Sequence, residues 1–347
     1  MKRRGYKWMG WFLALCWLCA FPTQAQHEVD VQEIVFTHIQ DAYSWHITEW
    51  QGREISIPLP IIVRNEAGEW SLFSAERLAH GNTYEGYHIA QTGEYAGKVV
   101  AQDVTGAEIR PLDLSITKNV CALFISCGLL VSLVLGIAHW YKRHPMEVPK
   151  GFVGVMEVLI SYIQEEVIKP SVGKHYHSFS AYLLTVFFFI LLNNLLGILP
   201  IFPGGANLTG NIAITAVLAI GTFIATNAFA TKHYWKEIFW PHTPIYLKVP
   251  LPIMPFVEFF GIFTKPIALM IRLFANIMAG HTIILALTCL IFITAAQGIL
   301  IHTGMTVVSV FFCVFMNCLE ILVACLQAYI FTILSANFIG MAKEEKV

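Results

Sequence analysis

Apolar residues are gathered into long runs along the last two thirds of the chain, and polar stretches separate one run from the next. A membrane-spanning helix needs about 20 predominantly apolar residues. Five runs reach or exceed this length: Val120–Trp140, Phe179–Leu199, Asn211–Ala230, Phe256–Gly298 and Met305–Met341. The pattern predicts an all-α polytopic membrane protein with five membrane segments.

The last two runs are longer than one crossing requires. At about 1.5 Å per residue, Phe256–Gly298 would measure about 64 Å as one helix and Met305–Met341 about 55 Å, whereas the hydrocarbon core is about 30 Å thick. We expect both segments to lie strongly tilted or to break, with Pro266 as a candidate kink. Together they are predicted to form a long helical hairpin that turns near Ile299–Gly304.

The stretch between the first two runs has a helical apolar pattern of its own. Glu157, Gln164 and Glu165 lie on its polar face, and Pro170 is expected to break the helix. The pattern predicts an amphipathic helix that lies either on the inner membrane surface or against a partner, and both options stay open. The apolar positions recur three and four residues apart: Phe152, Val155, Met156, Leu159, Ile160, Ile163 and Val167.

Residues 26–115 are charged and mixed rather than apolar. A β-rich stretch, Ile55–Val63, and a second one, Trp70–Phe73, flank the turn-forming residues Asn65–Gly68. We therefore predict a small domain with some β structure. None of the 8 cysteines falls in it, and the histidine spacings match no metal signature. The sequence thus indicates no disulfide framework, metal or cofactor.

The N-terminus has the features of a secretory signal. Basic residues precede the apolar run Trp8–Phe21, and Thr23, Gln24 and Ala25 give a small-residue pattern suited to a signal peptidase. We predict a cleaved signal peptide over residues 1–25. The alternative is an uncleaved first anchor, for which the run is short of the usual length.

Basic residues set the expected orientation. Lys142 and Arg143 follow the first membrane segment, Lys232 and Lys236 follow the third, and the tail Lys343–Val347 is charged. The positive-inside rule makes these parts cytoplasmic and residues 26–115 extracytoplasmic. With 56% hydrophobic and 13% charged residues and a net charge of −1, the chain is typical of an integral membrane protein rather than a nucleic-acid-binding protein.

One arginine, Arg272, lies inside the fourth membrane segment. An arginine at the centre of a membrane helix costs about 2.5 to 3.5 kcal/mol on insertion scales, so it usually lies on an ion path or beside a partner. No acid of this chain is expected level with it. Its counter-charge is therefore expected on another subunit, where a guanidinium would favour the ionised form of a carboxylate.

Polar residues in the last two segments fall into one register. In an antiparallel hairpin, residues whose numbers share one sum stand level, and His281 with Glu320 and Arg272 with Gln327 nearly do. At about 100° per residue, His281 points away from Arg272 and lies about 13 Å further along the helix. His281 and Glu320 are candidates for a proton relay, because imidazole titrates near neutral pH. The alternative is a static pair that holds the helices together.

Two sequence strings resemble the a subunit of F-type ATP synthases, the stator part of the membrane sector. They are TKPIALMIRLFANIMAGH at 264–281 and LQAYIFTIL at 326–334, and the similarity extends from about Lys118 to the C-terminus. The resemblance implies a non-catalytic, proton-conducting subunit of a bacterial inner membrane. Its implied partners are a ring of c subunits that each carry a carboxylate, the peripheral-stalk b subunits, the rest of the complex and membrane lipid.

The resemblance also implies roles for individual residues. Arg272 would be the essential arginine, Asn276 and Gln327 its polar neighbours, and Glu258 a residue of the cytoplasmic half-channel. Independently of the resemblance, the position of Lys265 seven residues before Arg272 places it near the inner interface, where its ammonium group would reach the headgroups. The outer half-channel would contain His281, Glu320, Asn193, Asn194 and Asn211.

The sequence departs from the family pattern in two places. Some bacterial members carry Glu at the position of His281 and His at the position of Glu320, so the two residues are exchanged here. An acid found near the position of Gly197 in some members is absent.

Two other functions compete with the stator: a self-contained secondary transporter, although no internal repeat is evident, and a structural anchor, which would leave Arg272 unexplained.

Overall fold

A computed structural model describes the chain at residues 41–50, 53–65, 68–91, 93, 95–102, 108–199, 204–240, 253–295 and 298–344. The signal peptide expected over residues 1–25 lies outside the described residues. The described chain forms a β-rich N-terminal unit followed by a set of long helices.

The described part of the N-terminal unit contains three small antiparallel sheets. The strands are β1 Ser44–Trp50, β2 Arg53–Pro58, β3 Pro60–Arg64, β4 Trp70–Ser74, β5 Tyr87–Ile89, β6 Val99–Gln102, β7 Glu108–Ile109 and β8 Leu112–Asp113. The strand orders in the sheets are β1-β2, β4-β3-β8 and β5-β6-β7. A 3-10 helix, Ala75–Gly81, follows β4.

The sequence correctly indicates the β3–β4 hairpin but not the break ahead of it. The hairpin closes through Asn65, and Gly68 adopts φ +87° in the turn. The expected single run Ile55–Val63 is two strands that belong to different sheets. Pro58 and Pro60 lack the N–H that a continuous ladder would need, and Leu59 between them bonds instead to the Tyr43 carbonyl.

The N-terminal unit has its own core. Ile61, Val63 and Val99 are fully buried within it. The Tyr43 hydroxyl donates to Asp113 Oδ2 and accepts a hydrogen bond of 3.3 Å from the Val99 amide. This hydroxyl therefore ties the start of the unit to its last strand.

Long helices make up the rest of the described chain. Four of the described helical stretches are long and apolar enough to span a membrane, and a fifth arises if the pair Ile212–Ala228 and Lys232–Phe239, bent by 101°, counts as one span. The expected polytopic helical architecture is thus confirmed. The helices are α1 Lys118–Arg143, α2 Phe152–Tyr162, α3 Lys169–Val172, α4 Tyr176–Ile198, α5 Ile212–Ala228, α6 Lys232–Phe239, α7 Ile253–Thr294 and α8 Ile299–Lys343.

The last two helices form the expected hairpin without a break. α7 has 42 residues and runs through Pro266, and α8 has 45. The turn expected near Ile299–Gly304 lies just before Ile299, between the end of α7 at Thr294 and the start of α8, and Gly304 lies inside α8. Gly298 adopts φ +102°, which glycine tolerates, and its carbonyl accepts the first helical hydrogen bond of α8, from His302.

The break expected at Pro170 is also wrong. A π-helical turn, Ile163–Ile168, precedes α3, and the Lys169 amide donates to the Gln164 carbonyl five residues back. This wider turn changes the bonding register just before the proline, which has no N–H of its own. α3 ends instead at Val172, and a 3-10 turn, Gly173–His175, follows it, with Gly173 at φ +69°.

The second half of the expected amphipathic stripe packs inside this chain. Ile163 and Val167 are buried in the main helical core, whereas Phe152 and Val155 remain exposed. This core also contains Leu183 of α4 and residues of α7 and α8. This half of the stripe thus packs against helices of the same chain.

Close backbone packing joins α8 to α3. A Cβ atom added at Gly340 would overlap the Ser171 carbonyl oxygen. Glycine is therefore required at 340 for this approach. The contact fixes the far end of α8, while the rest of α8 packs along α4 and α7.

Candidate functional site

The centre of the candidate site is a contact between α7 and α8. His281 Nδ1 lies 3.2 Å from Glu320 Oε1, and the two side chains are 18% and 3% exposed. The hairpin register predicts this pairing. Neither carboxylate oxygen of Glu320 has a well-directed hydrogen bond among the described residues, so ordered water is expected there, as it is at most buried polar groups.

Two glycines border this pair, and one of them makes room for it. A Cβ atom at Gly280 would lie 2.9 Å from Glu320 Oε1, and one at Gly197 of α4 would lie 3.7 Å from His281 Nε2. The first distance is shorter than real Cβ contacts allow. Because residue 280 has no side chain, Glu320 can lie against α7. The imidazole of His281 lies on the side of α7 that faces α4.

Buried asparagines of α4 lie close to the pair. Asn194 is 1% exposed, and its Nδ2 donates to the Ala324 carbonyl, one turn beyond Glu320 on α8. Asn193 is also 1% exposed and lies one turn before Gly197 on the same helix face. The Oδ1 atoms of both asparagines lack a hydrogen-bond partner among the described residues. The pair thus lies in a polar pocket of an otherwise apolar bundle.

A loop between α4 and α5 borders the same pocket. Asn207 Nδ2 lies 3.8 Å from Met278 Sδ of α7, and the Ala206 carbonyl oxygen lies 3.8 Å from the Cβ position of Gly197. Sequence reasoning missed Asn207, Gly197 as a neighbour of His281, and Gly280. The uncharged character of this loop between two membrane segments was the available signal.

Arg272 occupies the other side of α7. Leu269, Leu273 and Ile277 form the buried row that His281 continues, whereas Arg272 is exposed. The described residues contain four ion pairs, and Arg272 takes part in none of them. The guanidinium therefore has no carboxylate partner within the described part of the chain.

Small residues surround Arg272 on its exposed face. Ala268, Ala275 and Ala279 lie on the same side of α7 and are exposed, as is Asn276. Small side chains allow another helix to approach closely in a membrane. The arginine thus lies on a face that a second helix could cover.

Gln327 and Arg272, which were expected level, differ in burial. Gln327 is buried on α8, 6% exposed, while Arg272 and Asn276 face outward. No contact between Gln327 and either residue is described. Two residues at the same height on a helical hairpin can point in different directions, because the position of each side chain around its own helix axis is set separately.

Glu258 and Lys265 lie before Arg272 on α7, in the part of the helix near α5 and α6. Both are half-buried. α6 packs against this part of α7, with 6.5 Å between the ring centres of Phe239 and Phe259, and Lys265 Nζ lies 5.6 Å from the centre of the Phe338 ring. A small pocket there is lined by Lys265, Tyr234 and Asn227 among others, and Asn227 Oδ1 lacks a partner among the described residues.

Asn211 has a local role in the structure. Its Oδ1 accepts a hydrogen bond of 3.0 Å from the Ala213 amide at the start of α5. This is a helix N-cap. Asn211 makes no described contact with His281 or Glu320. The described residues also contain no group of three or more His, Cys, Asp or Glu side chains that could hold a metal.

These features define a class of protein. The described helices include four or five candidate spans. They carry a His–Glu pair with a buried carboxylate on one side of α7 and an exposed arginine on the other. Ionisable residues placed this way inside a membrane are typical of ion-translocating proteins.

Comparisons with known proteins identify the family. Residues 120–340 match the family model of the ATP synthase A chain, and residues 34–114 match a domain of unknown function, DUF8433. The chain is 43% identical over 241 residues to ATP synthase subunit a of Chloroherpeton thalassium, covering 68% of each chain. It is 39% identical over 281 residues to ATP synthase subunit a of Chlorobium phaeobacteroides strain DSM 266, covering 77% of this chain and 78% of the relative.

The chain belongs to the ATP synthase A chain family, the proton-translocating stator subunits of the F-type membrane sector. It is a multi-pass membrane protein, in agreement with its apolar helices.

Proposed function

We propose that Arg272 separates two proton half-channels and faces the carboxylates of a rotating c-subunit ring. The observation that carries this proposal is that Arg272 is exposed on α7 without an acidic partner in the described chain. A guanidinium stays charged at any physiological pH. In a membrane it needs an anion, and a partner's carboxylate on an approaching helix would supply one.

The proposed reaction is a proton transfer at the face of the ring. A protonated carboxylate that comes next to Arg272 gives up its proton, because the cation favours the ionised form. After the carboxylate has passed the arginine, it takes a new proton from the other half-channel. Arg272 also repels cations, so protons cannot pass directly between the half-channels. The subunit itself makes and breaks no bond of ATP.

The outer half-channel is proposed to run through the polar pocket between α4, α7 and α8. His281 and Glu320 would pass protons between water and the ring, and Asn193 and Asn194 would hold water through their unpaired oxygens. Asn211 is left out of this lining, because its side chain already caps α5.

The inner half-channel is proposed to include Glu258. The pocket lined by Asn227, Tyr234 and Lys265 would supply further polar groups on the same side of the membrane. Gln327 and Asn276 would lie between the two half-channels, near the level of Arg272.

The proposed orientation follows from charge. Lys142 and Arg143 at the end of α1 and Lys343 at the end of α8 would face the cytoplasm. The α7–α8 turn and the N-terminal unit then lie outside the cytoplasm of a bacterial inner membrane. We assign residues 1–25 to a signal peptide, 26–115 to the exported unit and 116–347 to the membrane domain, with peripheral-stalk b subunits as further partners.

Reconstitution tests this proposal against a self-contained transporter. Liposomes with this chain alone should show no proton flux, whereas liposomes with this chain and the c-subunit ring should conduct protons. A carbodiimide that modifies membrane carboxylates should block the flux, and a ring whose carboxylates are replaced by amides should not conduct. Flux from the chain alone would favour the transporter and contradict the proposal.

A further inference from the structure

The N-terminal unit contacts the membrane domain at the loop that borders the His281 pocket. Trp45 of β1 is 3% exposed and packs in one cluster with Ala122 of α1 and with Ala206 and Leu208 of the loop. The two loop residues are 3% and 2% exposed. A large aromatic side chain thus covers one side of the 204–211 loop.

Hydrogen bonds hold the same unit to the start of α1. The Lys118 amide donates to the Ala42 carbonyl over 2.8 Å, and the Asn119 amide donates to Asp41 Oδ1 over 3.0 Å. These contacts lie only a few residues before Trp45 and Ala122. The position of Trp45 relative to the membrane helices is therefore set by backbone contacts as well as by packing.

The other side of the loop lies against the candidate proton path. Asn207 Nδ2 lies 3.8 Å from Met278 Sδ, three residues before His281 on α7. The Ala206 carbonyl and His281 Nε2 both approach the free space above Gly197. A single short loop thus separates Trp45 from the imidazole of His281.

The loop's other restraints come from within the loop and from the membrane helices. Residues 204–211 carry no charge, so ion pairs cannot fix them. Its internal bonds are short-range turns such as Gly210 amide to Asn207 Oδ1, and the Gly205 amide donates to the Leu196 carbonyl of α4 over 3.2 Å. In the cluster that buries Ala206 and Leu208, Trp45 is the side chain that the N-terminal unit contributes beside residues of α1.

We propose that the N-terminal unit is a positioning element for proton access: through Trp45 it holds the 204–211 loop against α7, beside His281 and Glu320. The inference rests on the proposed function of that pair. It gives residues 34–114, which match a domain of unknown function, a role in the outer half-channel. Without this contact the loop would move, and the water-filled route to His281 would lose its shape.

The test compares Trp45→Ala with Trp70→Ala in the complete ATP synthase complex. Trp70 lies in the same unit but is 55% exposed, so it serves as the matched control. Hydrogen exchange should become about tenfold faster at the amides of residues 208–211 in Trp45→Ala, because local opening becomes easier. Exchange in α5 should not change.

Proton conduction is measured in the same preparations. Passive flux through membranes stripped of the catalytic head should fall roughly threefold or more in Trp45→Ala and stay unchanged in Trp70→Ala, if access to an ordered route limits the flux. ATP hydrolysis by the soluble head should be equal in all samples. Leu208→Ala, which removes the loop's side of the contact, should reproduce both effects and replaces Trp45→Ala if that variant does not assemble.

Two results would overturn the inference: unchanged exchange in the loop, or faster exchange with unchanged proton flux. His281→Ala, measured alongside, distinguishes this from failure of the proposed function. If His281→Ala conducts normally, the proton path itself is wrong. If His281→Ala is inactive while Trp45→Ala and Leu208→Ala conduct normally, only the role of the N-terminal unit is wrong.

Discussion

His281 and Glu320 meet across the α7–α8 hairpin with 3.2 Å between Nδ1 and Oε1, while Arg272 on the same α7 points away from this contact. One helix thus serves two environments. Its buried row ends in a titratable pair, and its exposed row carries a permanent cation. A stator needs this separation, because protons must reach the ring carboxylate without passing the arginine.

Exchange of the two residues tests whether they work as a pair. His281→Glu and Glu320→His should each reduce ATP-driven proton pumping, because each leaves two like groups in the pocket. The double variant should recover much of the activity, since it again holds one imidazole and one carboxylate. Acidification of inverted vesicles measures this, and a double variant no better than either single one contradicts the pair.

Gly280→Ala should disturb the pair without changing a polar residue. The new Cβ would lie 2.9 Å from Glu320 Oε1, so the carboxylate must move away. We expect reduced proton pumping with a normally assembled complex. Gly261→Ala is the matched control on α7, because nothing lies within 4 Å of its Cβ position. Equal pumping by the two variants would show that the position of Glu320 does not matter.

Gly340→Ala should reduce stability rather than conduction alone. Its Cβ would meet the backbone of Ser171, which cannot rotate away as a side chain can. Overpacking of this kind costs about 1 to 3 kcal/mol. The thermal midpoint of the solubilised subunit should therefore fall, whereas Gly304→Ala, in open space on the same helix, should leave it unchanged or slightly raised.

Tyr43→Phe should weaken the N-terminal unit. Burial raises the pKa of Tyr43, and the hydrogen bond to Asp113 raises it further. The hydroxyl is thus protonated at neutral pH, and its contribution is fully present below about pH 10 and lost as the pH rises through the raised value.

Removal of the Tyr43 hydroxyl leaves a buried partner unpaired, which costs about 1 to 3 kcal/mol. Hydrogen exchange at Val99 should become faster, and the variant should lose the fall in stability expected above about pH 10. Tyr95→Phe is the control, because its hydroxyl makes no described hydrogen bond. Equal exchange in both variants would contradict the role of Tyr43.

The sequence predicts the parts of the fold that depend on local patterns. Apolar run lengths indicate the membrane helices, and equal spacing from one turn brings His281 and Glu320 level. The same reasoning gives only the approximate position of the turn, because it does not detect that Gly298 takes a positive φ. It also expects Pro170 to break a helix that a π-helical turn carries past it.

The rest of the site depends on packing between segments distant in sequence. Gly197 has no local feature that links it to His281, since their approach arises from the contact of α4 with α7. In the sequence, Gly280 has no feature that distinguishes it from other helical glycines. Its importance follows only from the position of Glu320 against it in the structure. The hairpin register predicts that Gln327 and Arg272 stand nearly level. Only the structure shows that Gln327 is buried and Arg272 is exposed.

Proton pumping by an Arg272→Ala complex tests the central claim most directly. Inverted vesicles with this variant should show no ATP-driven acidification, while the soluble head hydrolyses ATP at the normal rate. Arg143→Ala, at the exposed end of α1, is the matched control and should pump normally. Normal acidification by the Arg272→Ala complex would contradict the account, because the ring carboxylates would then pass the stator without the cation proposed to discharge them.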